Sequence, residues 1–290
     1  MITFDQVRFA YQRQKTLFDN LNLHLSPGRI YGLLGKNGEG KSSLLRNIAG
    51  LLFPDQGEIN VMGFKPSSRQ AEFLQNVFYI PDEPYLPSST VKKFSERFGQ
   101  LYPNYDPSEF FEGITNLNVS SSERLDKMSY GQRKKVLIAF ALACNTKVLL
   151  MDEPTNGLDI PSKIQFRKLV LSALNDEKIM VMATHQVRDL ENIIDTVIIL
   201  NENKVAIQTE LETVAQYLSF DTVADIDDDS NSVLYSQPGP SGSKVVTRNV
   251  FGTETIIDLE QFFNAVVSSP TKMQHIFNQS PTGNDLNSYI

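Results

Sequence analysis

The sequence predicts an α/β protein whose central sheet is mostly parallel and is covered by helices. Three observations lead to this prediction. From about residue 133 to residue 200, apolar strand patterns alternate with helical stripes, which is typical of a parallel sheet with helices on both faces. Residues 1–30 instead show the alternation of apolar and polar positions that antiparallel strands have. A glycine-rich loop at residues 35–42 lies between a strand pattern and a helix pattern.

The N-terminal region supplies the antiparallel strands. Its apolar residues recur at close to every second position, and they are Ile2, Phe4, Val7, Phe9, Leu21, Leu23 and Leu25. Further strands are expected at Asn60–Gly63 and Asn76–Ile80. Arg29–Leu34 is expected to be the strand that leads into the glycine-rich loop, and Lys41–Leu52 the helix that follows it.

Residues from about 82 to 145 predict a helical insert within this domain. Two helical patterns, Thr90–Tyr102 and Pro107–Leu117, lie among several prolines. Asp106 is a good helix start, because its side chain can accept from a first-turn amide and the proline after it is pre-set for a helix. Aromatic side chains are expected to form a small core here, namely Phe94, Phe98, Phe110 and Phe111.

Beyond the insert, an amphipathic helix is expected over residues 133–144. Strands are then expected at Lys147–Met151, Lys178–Thr184 and Thr196–Leu200, with helices between them. The composition changes from about Ser219. We therefore predict one domain at residues 1–218, and a small α+β appendage with a polar tail at residues 219–290.

The composition is that of an ordinary globular protein, with 290 residues, 41% apolar and 21% charged. The net charge of −7 argues against a nucleic-acid partner. Cys144 is the single cysteine, so no intrachain disulfide can form.

The longest apolar run, Val136 to Cys144, is far shorter than the ~20 residues that span a bilayer, and no signal peptide is evident. We expect a cytoplasmic protein that serves a membrane, if at all, through another chain.

The glycine-rich loop has every fixed position of the phosphate-binding pattern G-x-x-x-x-G-K-[ST]. Its glycines let backbone N–H groups surround an anion, the lysine reaches the terminal phosphates, and the serine hydroxyl can bind Mg²⁺. The helix that follows adds its positive end. The sequence thus predicts a nucleoside triphosphate site at Gly35, Lys36, Asn37, Gly38, Glu39, Gly40, Lys41, Ser42 and Ser43.

Two carboxylates end the apolar strand at residues 147–151. Asp152 could hold Mg²⁺ directly or through water, and Glu153 could polarise an attacking water. The alternative is that the pair caps the next helix. Upstream, Ser129 and Gly131 precede the helix of residues 133–144 and form a second candidate anion site, for which an ordinary helix cap is the alternative.

Taken together, these motifs resemble the nucleotide-binding subunit of an ATP-binding cassette (ABC) transporter over roughly residues 1–218. The matching segments follow the family's order: Tyr11 as the adenine-stacking aromatic, 35–42 as Walker A, 129–132 as the signature, 148–153 as Walker B, Leu158-Asp159 as the D-loop and His185 as the switch histidine. The resemblance implies a phosphate-loop NTPase of the ABC type. Its mostly parallel core sheet would carry an antiparallel N-terminal β subdomain and a helical subdomain.

The resemblance also implies a role for each residue. Tyr11 would stack on adenine, Ser42 and Asp152 would place Mg²⁺, Glu153 would be the catalytic base and His185 would contact the γ-phosphate. The residues that would act on the ATP of a second subunit are Ser129, Gly131, Gln132 and the D-loop Asp159. Two alternatives stay open: Tyr11 could pack into the core, and His185 could be a plain loop residue.

The chain departs from the family pattern at two positions. Asp82 stands where the family has a glutamine that contacts Mg²⁺ or its water, so Asp82 is either a metal ligand or a solvated loop acid. Tyr130 stands where the signature usually has glycine. The basic run Arg133, Lys134 and Lys135 is expected to be a solvated helix face, and the alternative is that these residues lie near phosphate and raise the local potential.

The function that the resemblance implies is ATP hydrolysis that drives a separate membrane permease. Because the chain carries one copy of each motif, the resemblance implies a head-to-tail dimer, which is expected to be a homodimer rather than a heterodimer. The resemblance also implies that the subunit lies on the inner face of the membrane, where the permease holds it. Export is favoured over import because the compact insert and a C-terminal helix from Asp258 resemble those of drug- or polysaccharide-type exporters. The alternative is a soluble ABC ATPase of the cofactor-assembly type.

Overall fold

The computed structural model describes residues 1–11, 16–224, 233–240, 242–250 and 252–278. The chain forms two compact units, Met1–Val205 and Ala206–Ile290. This division falls earlier than the predicted boundary at 218/219. The second unit also includes the helix Leu211–Tyr217 and the strand Leu218–Val223, which follow directly on each other. The polar tail that the sequence predicts at the C-terminus lies outside the described residues.

The strands of the described residues are, in chain order, β1 (Ile2–Ala10), β2 (Thr16–Leu25), β3 (Arg29–Gly35), β4 (Gln56–Val61), β5 (Val77–Ile80), β6 (Val148–Asp152), β7 (Ile179–Thr184), β8 (Thr196–Asn201), β9 (Lys204–Glu210), β10 (Leu218–Val223), β11 (Val233–Gly239) and β12 (Gly242–Arg248).

The α-helices are α1 (Lys41–Ile48), α2 (Ala71–Asn76), α3 (Val91–Phe98), α4 (Pro107–Asn116), α5 (Tyr130–Ala143), α6 (Ile160–Ala173), α7 (Leu211–Tyr217), α8 (Leu259–Ser268) and α9 (Pro270–Asn278). Short 3₁₀ turns occur at Pro66–Ser68, Gly99–Leu101, Leu125–Lys127 and Val187–Leu190. The last of these turns lies between β7 and β8, where the sequence predicts a short helix at Val187–Ile194.

The central sheet has the strand order β5-β6-β7-β3-β8-β9. Its neighbours from β5 to β8 are parallel, as the sequence predicts. All residues of β6 and β7 are buried, because helices cover both faces of a parallel sheet. The carboxyl ends of β3, β5, β6 and β7 therefore meet at one edge, where ligands bind in open α/β sheets.

A separate antiparallel sheet with the order β2-β1-β4 forms the N-terminal β region. Its buried residues, among them Ile2, Phe4 and Val7, pack into a core shared with α1 and the inner strands of the central sheet. The predicted antiparallel region is confirmed. Its edge strand β2 brings Phe18 against the glycine-rich loop, a contact that matters for the site below.

The segment between β5 and β6 is helical, as expected, but its aromatic core has a different centre. The ring of Phe140 on α5 lies 4.7 Å from that of Phe94 and 5.9 Å from that of Phe110. Phe140 therefore joins α3, α4 and α5. Asp106 caps α4, accepting from the Ser108 amide at 2.7 Å. Cys144 follows α5 and is buried, with 1% exposure.

The second unit is a small α+β structure. Its strands pair antiparallel in the order β10-β12-β11, and α8 packs on β11 and β12. Asp258 caps α8 and also accepts from Lys244 of β12 at 2.8 Å. The ring of Phe262 on α8 lies 5.9 Å from that of Phe277 on α9. In the part of the chain that the structure describes, no helix is both long and apolar enough to cross a bilayer.

Candidate nucleotide-binding site

A cavity of about 460 Å³ lies at the carboxyl edge of the central sheet. It brings together most of the residues that the sequence singles out. Its lining consists of Tyr11, Leu17, Asn37, Gly38, Gly40, Lys41, Ser42, Ser43, Asp82, Asp152, Glu153 and His185. Segments far apart in sequence thus converge on one site, and Leu17 is a lining residue that the motifs do not predict.

The glycine-rich loop folds as an anion-binding turn between β3 and α1. Gly38 and Gly40 have φ angles of +89° and +94°, a conformation that favours glycine. At Gly40 a Cβ would also lie 2.6 Å from the Phe18 ring, so a side chain there would clash. Gly40 is the N-cap residue of α1, so the loop ends at the helix N-terminus, where the helix dipole is positive.

Lys41 is nearly buried, and its Nζ donates to the carbonyl oxygens of Gly35 at 2.6 Å and Lys36 at 3.2 Å. Burial lowers the pKa of Lys41, and the charges of Glu153 and Asp152 oppose that shift. Gly35 and Lys36 thus contribute carbonyl oxygens although they are not among the lining residues. The ammonium group is held at the loop and close to both acids.

The side chain of Glu39 contacts a neighbouring hairpin and is not part of the cavity lining. Its Oε2 accepts from the Asn203 amide at 2.7 Å, and the Asn203 side chain donates to the Gly38 carbonyl at 3.4 Å. Asn203 lies in the turn between β8 and β9 and has a φ of +60°. This turn therefore braces the glycine-rich loop, a contact that no local sequence pattern predicts.

Asp152 ends β6 at the cavity and is 3% exposed. Burial raises its pKa, hydrogen bonds from Ser42 and from the Tyr79 hydroxyl at 3.2 Å lower it, and the charge of Glu153 raises it further. Neither Asp152 nor Glu153 caps the next helix, because Asp159 does so by accepting from the Ser162 amide at 2.9 Å. The capping alternative for the two carboxylates is wrong.

Glu153 has a φ of +46°, which is uncommon for a residue with a side chain. The end of β7 stabilises this conformation. The Glu153 amide donates to the Ala183 carbonyl at 2.8 Å, and Oε2 accepts from the Thr184 hydroxyl at 2.6 Å. Oε1 accepts from the His185 amide at 3.0 Å and lies 2.7 Å from His185 Nδ1. Glu153 and His185 therefore form one pair, so His185 is more than a plain loop residue.

Tyr11 lies at the rim of the cavity rather than in the core. Its side chain is 37% exposed, and its hydroxyl shares a hydrogen bond of 2.8 Å with Ser43 Oγ on α1. The ring stands edge-on to Phe9, with centroids 5.1 Å apart. The ring is therefore held beside the glycine-rich loop with part of its surface open to solvent.

Asp82 is partly exposed and has several donors, so it is more than a solvated loop acid. Its Oδ1 accepts from the Tyr130 hydroxyl at 2.9 Å and from Asn156 at 3.3 Å.

The expectation that the basic run is a solvated helix face is wrong, because the Lys134 side chain is fully buried and Lys135 is 11% exposed. Helical spacing could have revealed this, since Lys134 lies four residues before the buried Ile138.

The signature residues stand at the start of α5 and are not among those that line the cavity. Ser129 and Gln132 form a capping box, with the Gln132 amide donating to Ser129 Oγ at 3.2 Å and the Ser129 amide to Gln132 Oε1 at 3.0 Å. At Gly131 a Cβ would lie 2.4 Å from the Gly157 carbonyl oxygen, so only glycine fits. Asp159 is likewise outside the lining.

Comparison with known proteins decides the family. The family described as ABC transporter matches residues 18–156. ABC transporter ATP-binding protein NatA of Bacillus subtilis (strain 168) is 31% identical over 225 residues, which cover 74% of this chain and 91% of the relative. The chain is an ATP-binding subunit of the ABC transporter family. ABC subunits of this kind hydrolyse ATP, dimerise and work with membrane permease partners.

Other relatives of the ABC subunit carry names with opposite directions of transport. Nod factor export ATP-binding protein I of Paraburkholderia xenovorans (strain LB400) is 32% identical over 213 residues, covering 70% of this chain and 68% of the relative. Zinc import ATP-binding protein ZnuC of Buchnera aphidicola subsp. Baizongia pistaciae (strain Bp) is 35% identical over 210 residues, covering 71% and 83%.

The fold of the ABC subunit also matches solved structures. The dimeric structure of a post-hydrolysis state of the ATP-binding cassette MJ0796, bound to ADP and Pi, superimposes with a TM-score of 0.64 at 23% identity. The match covers 73% of this chain and 99% of that one. The predicted fold class, an ABC ATPase core with antiparallel β and helical regions, is confirmed.

Proposed function

We propose that the subunit hydrolyses ATP between two copies of itself and uses this cycle to drive a separate membrane permease. The division of its motifs supports the proposal. One cavity holds the glycine-rich loop with Asp152, Glu153 and His185, whereas Ser129 stands at the start of α5 outside the lining. A site completed by the signature segment of a second copy would account for this division.

In this proposal the cavity binds ATP along the glycine-rich loop. The amides of residues 36–42 and the Lys41 ammonium hold the β- and γ-phosphates, which the N-terminus of α1 also stabilises. Tyr11 stacks on the adenine from the rim, with its ring held in place through Ser43. The partly exposed face of that ring leaves room for the base.

The residues present fit Mg²⁺ as the accompanying cation. Ser42 donates a hydrogen bond to the Asp152 carboxylate, so two hard oxygen donors meet beside the loop. Mg²⁺ at nucleotide sites typically takes one or two carboxylates together with phosphate oxygens and water. Ser42 and Asp152 would hold the ion, and Asp82 lines the same cavity. When bound, the ion neutralises developing charge on the phosphates.

Hydrolysis in this proposal depends on Glu153 and His185. Glu153 accepts a proton from the attacking water while the water oxygen bonds to the γ-phosphorus and the bond to the bridging oxygen of ADP breaks. His185 orients Glu153 through the 2.7 Å contact and contacts the γ-phosphate. Hydrogen bonds from the Thr184 hydroxyl and the His185 amide hold the Glu153 carboxylate at the end of β7.

The partner that completes the site is proposed to be a second copy of this chain, bound head to tail. Ser129, Gly131 and Gln132 of one copy would close on the ATP held by the other, with Asp159 facing across the same interface. The γ-phosphate then bridges the copies, and its release removes that bridge and lets them separate. The two nucleotide states thus differ in the free energy of association, which a mechanical cycle requires.

The transport role is proposed to be export, from the cytoplasmic face of a membrane on which the permease holds the subunit. It rests on the likeness of the compact insert and of the α8 helix to ATP-binding subunits of drug- or polysaccharide-type exporters. Relatives named for export and for import both match the chain. A soluble ABC ATPase without a permease is the competing outcome of the test below.

The test uses Glu153→Gln, which keeps the size of the side chain but removes its basicity. We expect ATP hydrolysis to fall by ~10³-fold while ATP stays bound and a dimer accumulates, as measured by light scattering. Tagged Glu153→Gln subunit, recovered with ATP from a detergent extract of its own cells, should bring down a polytopic membrane protein.

Glu112→Gln is the matched control, because Glu112 is exposed on α4 away from the cavity. It should hydrolyse ATP at the parent rate and form no lasting dimer. A Glu153→Gln protein that hydrolyses at the parent rate removes Glu153 as the base. Repeated recovery of the dimer without any membrane protein contradicts the transport role and favours the soluble ATPase.

A further inference from the structure

A buried lysine joins the ends of two neighbouring strands beside the cavity. Lys134 Nζ donates to the backbone carbonyl of Asp82 at 2.7 Å and of Pro81 at 3.3 Å, just after β5. The same Nζ donates to the backbone carbonyl of Asp152 at 3.4 Å, at the end of β6. Since β5 and β6 are adjacent in the sheet, one ammonium group holds the two strand ends together.

Tyr130 strengthens this connection from one helical turn earlier on α5. Its hydroxyl contacts the Asp82 carbonyl at 2.7 Å and Asp82 Oδ1 at 2.9 Å, and it accepts from Lys134 at 3.3 Å. The ring also lies over the Lys134 ammonium at 5.5 Å. At Gly157 a Cβ would lie 2.5 Å from this ring, so the glycine leaves the space that the tyrosine fills.

The contacts converge on a residue that lines the nucleotide cavity. Asp82 shares that lining with Ser42 and Asp152, yet its donors come from elements remote in sequence. A fully buried lysine loses its hydration, which is costly unless the protein supplies acceptors with good geometry. Here the acceptors are the backbone carbonyls at the ends of β5 and β6. This indicates that the positions of these strand ends matter to the nucleotide site.

We propose that Tyr130 and Lys134 are positioning residues for ATP hydrolysis, which fix the main chain at Asp82 and at the end of β6. Through these strand ends they set where the Asp82 and Asp152 carboxylates stand in the cavity. The residues lie on α5, the helix that begins with the signature segment, so that helix also arranges the subunit's own hydrolysis site. The inference rests on the site assignments proposed above, and it is independent of the direction of transport.

Loss of the Tyr130 hydroxyl or the Lys134 ammonium should lower the rate of turnover without weakening nucleotide binding. Neither residue has a described contact with residues 35–43, which carry the phosphate-binding amides and the Lys41 ammonium. Loss of the connection should therefore misplace catalytic groups while ATP still binds. A misplacement of this kind is expected to lower kcat by ~10-fold or more, with the Kd of a non-hydrolysable ATP analogue changed less than about two-fold.

The first experiment uses Tyr130→Phe, which removes one hydroxyl and keeps the ring beside Gly157. We measure kcat at saturating Mg-ATP, the Kd of the analogue and the thermal unfolding midpoint. Tyr85→Phe is the matched control, because Tyr85 is 94% exposed in the loop just after Asp82. A Tyr130→Phe subunit with the parent kcat overturns the proposal, as does one whose affinity and midpoint fall together with kcat.

A double-mutant cycle tests whether Tyr130 and Lys134 act through one connection. If they do, Tyr130→Phe combined with Lys134→Met should lower kcat no further than Lys134→Met does, within about two-fold. Losses that multiply would show independent roles and overturn the proposed connection. The site assignments themselves are checked separately with Lys41→Ala, whose affinity does not depend on this connection.

Lys134→Met is the stronger variant, because it removes the charge and keeps the length of the side chain. It should lower kcat at least as much as Tyr130→Phe with analogue affinity retained, and Lys92→Met is its control, since Lys92 is 68% exposed on α3. A folded Lys134→Met subunit with the parent kcat overturns the proposal. Should this variant fail to fold, Tyr130→Phe decides the matter.

Discussion

Two aspartates in this chain, one in the nucleotide cavity and one at the α8 helix, experience opposite environments. Asp152 is almost completely buried, and burial is the main cause of its raised pKa. Asp258 is partly exposed. Burial alone would raise its pKa, but hydrogen bonds from Gln261 and Lys244 outweigh burial and lower the pKa to about 2.

The two aspartates differ in whether the folded protein favours the charged form of the carboxyl group. Lys41 in the cavity and Lys134 beside it are also buried, and burial lowers the pKa of both lysines. Each of these three groups is thus less favourable in its charged form than it would be in water. At Asp258 the charged form is favoured, because the cap and Lys244 both act on it. Substitutions should therefore have opposite consequences at the two places.

The largest expected effect is at Asp152. Asp152→Asn should reduce ATP hydrolysis by ~10² to 10³-fold, because it removes the carboxylate proposed to hold Mg²⁺, and a catalytic metal contributes several kcal/mol to such reactions. Its thermal midpoint at neutral pH should be equal to or above the parent's, since a poorly hydrated charge is removed. Asp19→Asn on the exposed face of β2 is the control. A large loss of stability in Asp152→Asn would break the comparison.

An effect on affinity is expected at Lys41. Lys41→Ala should weaken Mg-ATP binding by about 10- to 100-fold, because it removes charged hydrogen bonds to phosphate. Titration with a fluorescent ATP analogue measures the change. Lys168→Ala, an exposed lysine on α6, should bind like the parent. Unchanged affinity in Lys41→Ala would contradict the role assigned to the glycine-rich loop.

The smallest effect is expected at Asp258. Asp258→Asn keeps a side chain that can cap α8 but loses the charge facing Lys244, so it should lower the free energy of unfolding by about 1 kcal/mol or less. The folded pKa of about 2 lies below the ordinary value of 3.8, so the stabilisation is present above 3.8 and is lost as the pH falls towards 2.

Urea unfolding at several pH values measures that difference. The stability gap between Asp258→Asn and the parent should be constant near neutral pH and close in acid. A gap that widens in acid would mean that the sign of the shift at Asp258 is wrong, and the contrast with Asp152 would fail with it.

Local patterns made much of the fold and of the site predictable. The glycine-rich loop, the carboxylates after β6 and the histidine after β7 each stand at a strand end that the sequence marks by an apolar run. Because the ends of parallel strands meet at one edge, the order of motifs also predicts that they converge. The cavity lining agrees with that expectation.

The features that the sequence did not predict depend on contacts between distant residues. Tyr130 and Asp82 are far apart in the chain, and nothing near either one indicates their hydrogen bond. Lys134 looks like part of a solvated basic run, and its burial depends on the strand ends around it. The division between the two units at residues 205/206 was not anticipated either, because the predicted boundary follows the change in composition near Ser219.

The buried position of Cys144 has a practical consequence. Burial raises the pKa of its thiol, so the group is both inaccessible and protonated at neutral pH. Because the sequence has no other cysteine, the folded native chain should be inert to maleimides and similar reagents. A cysteine introduced at any exposed position would then be the sole labelling site, which makes the subunit a convenient background for spectroscopic distance measurements between copies during ATP turnover.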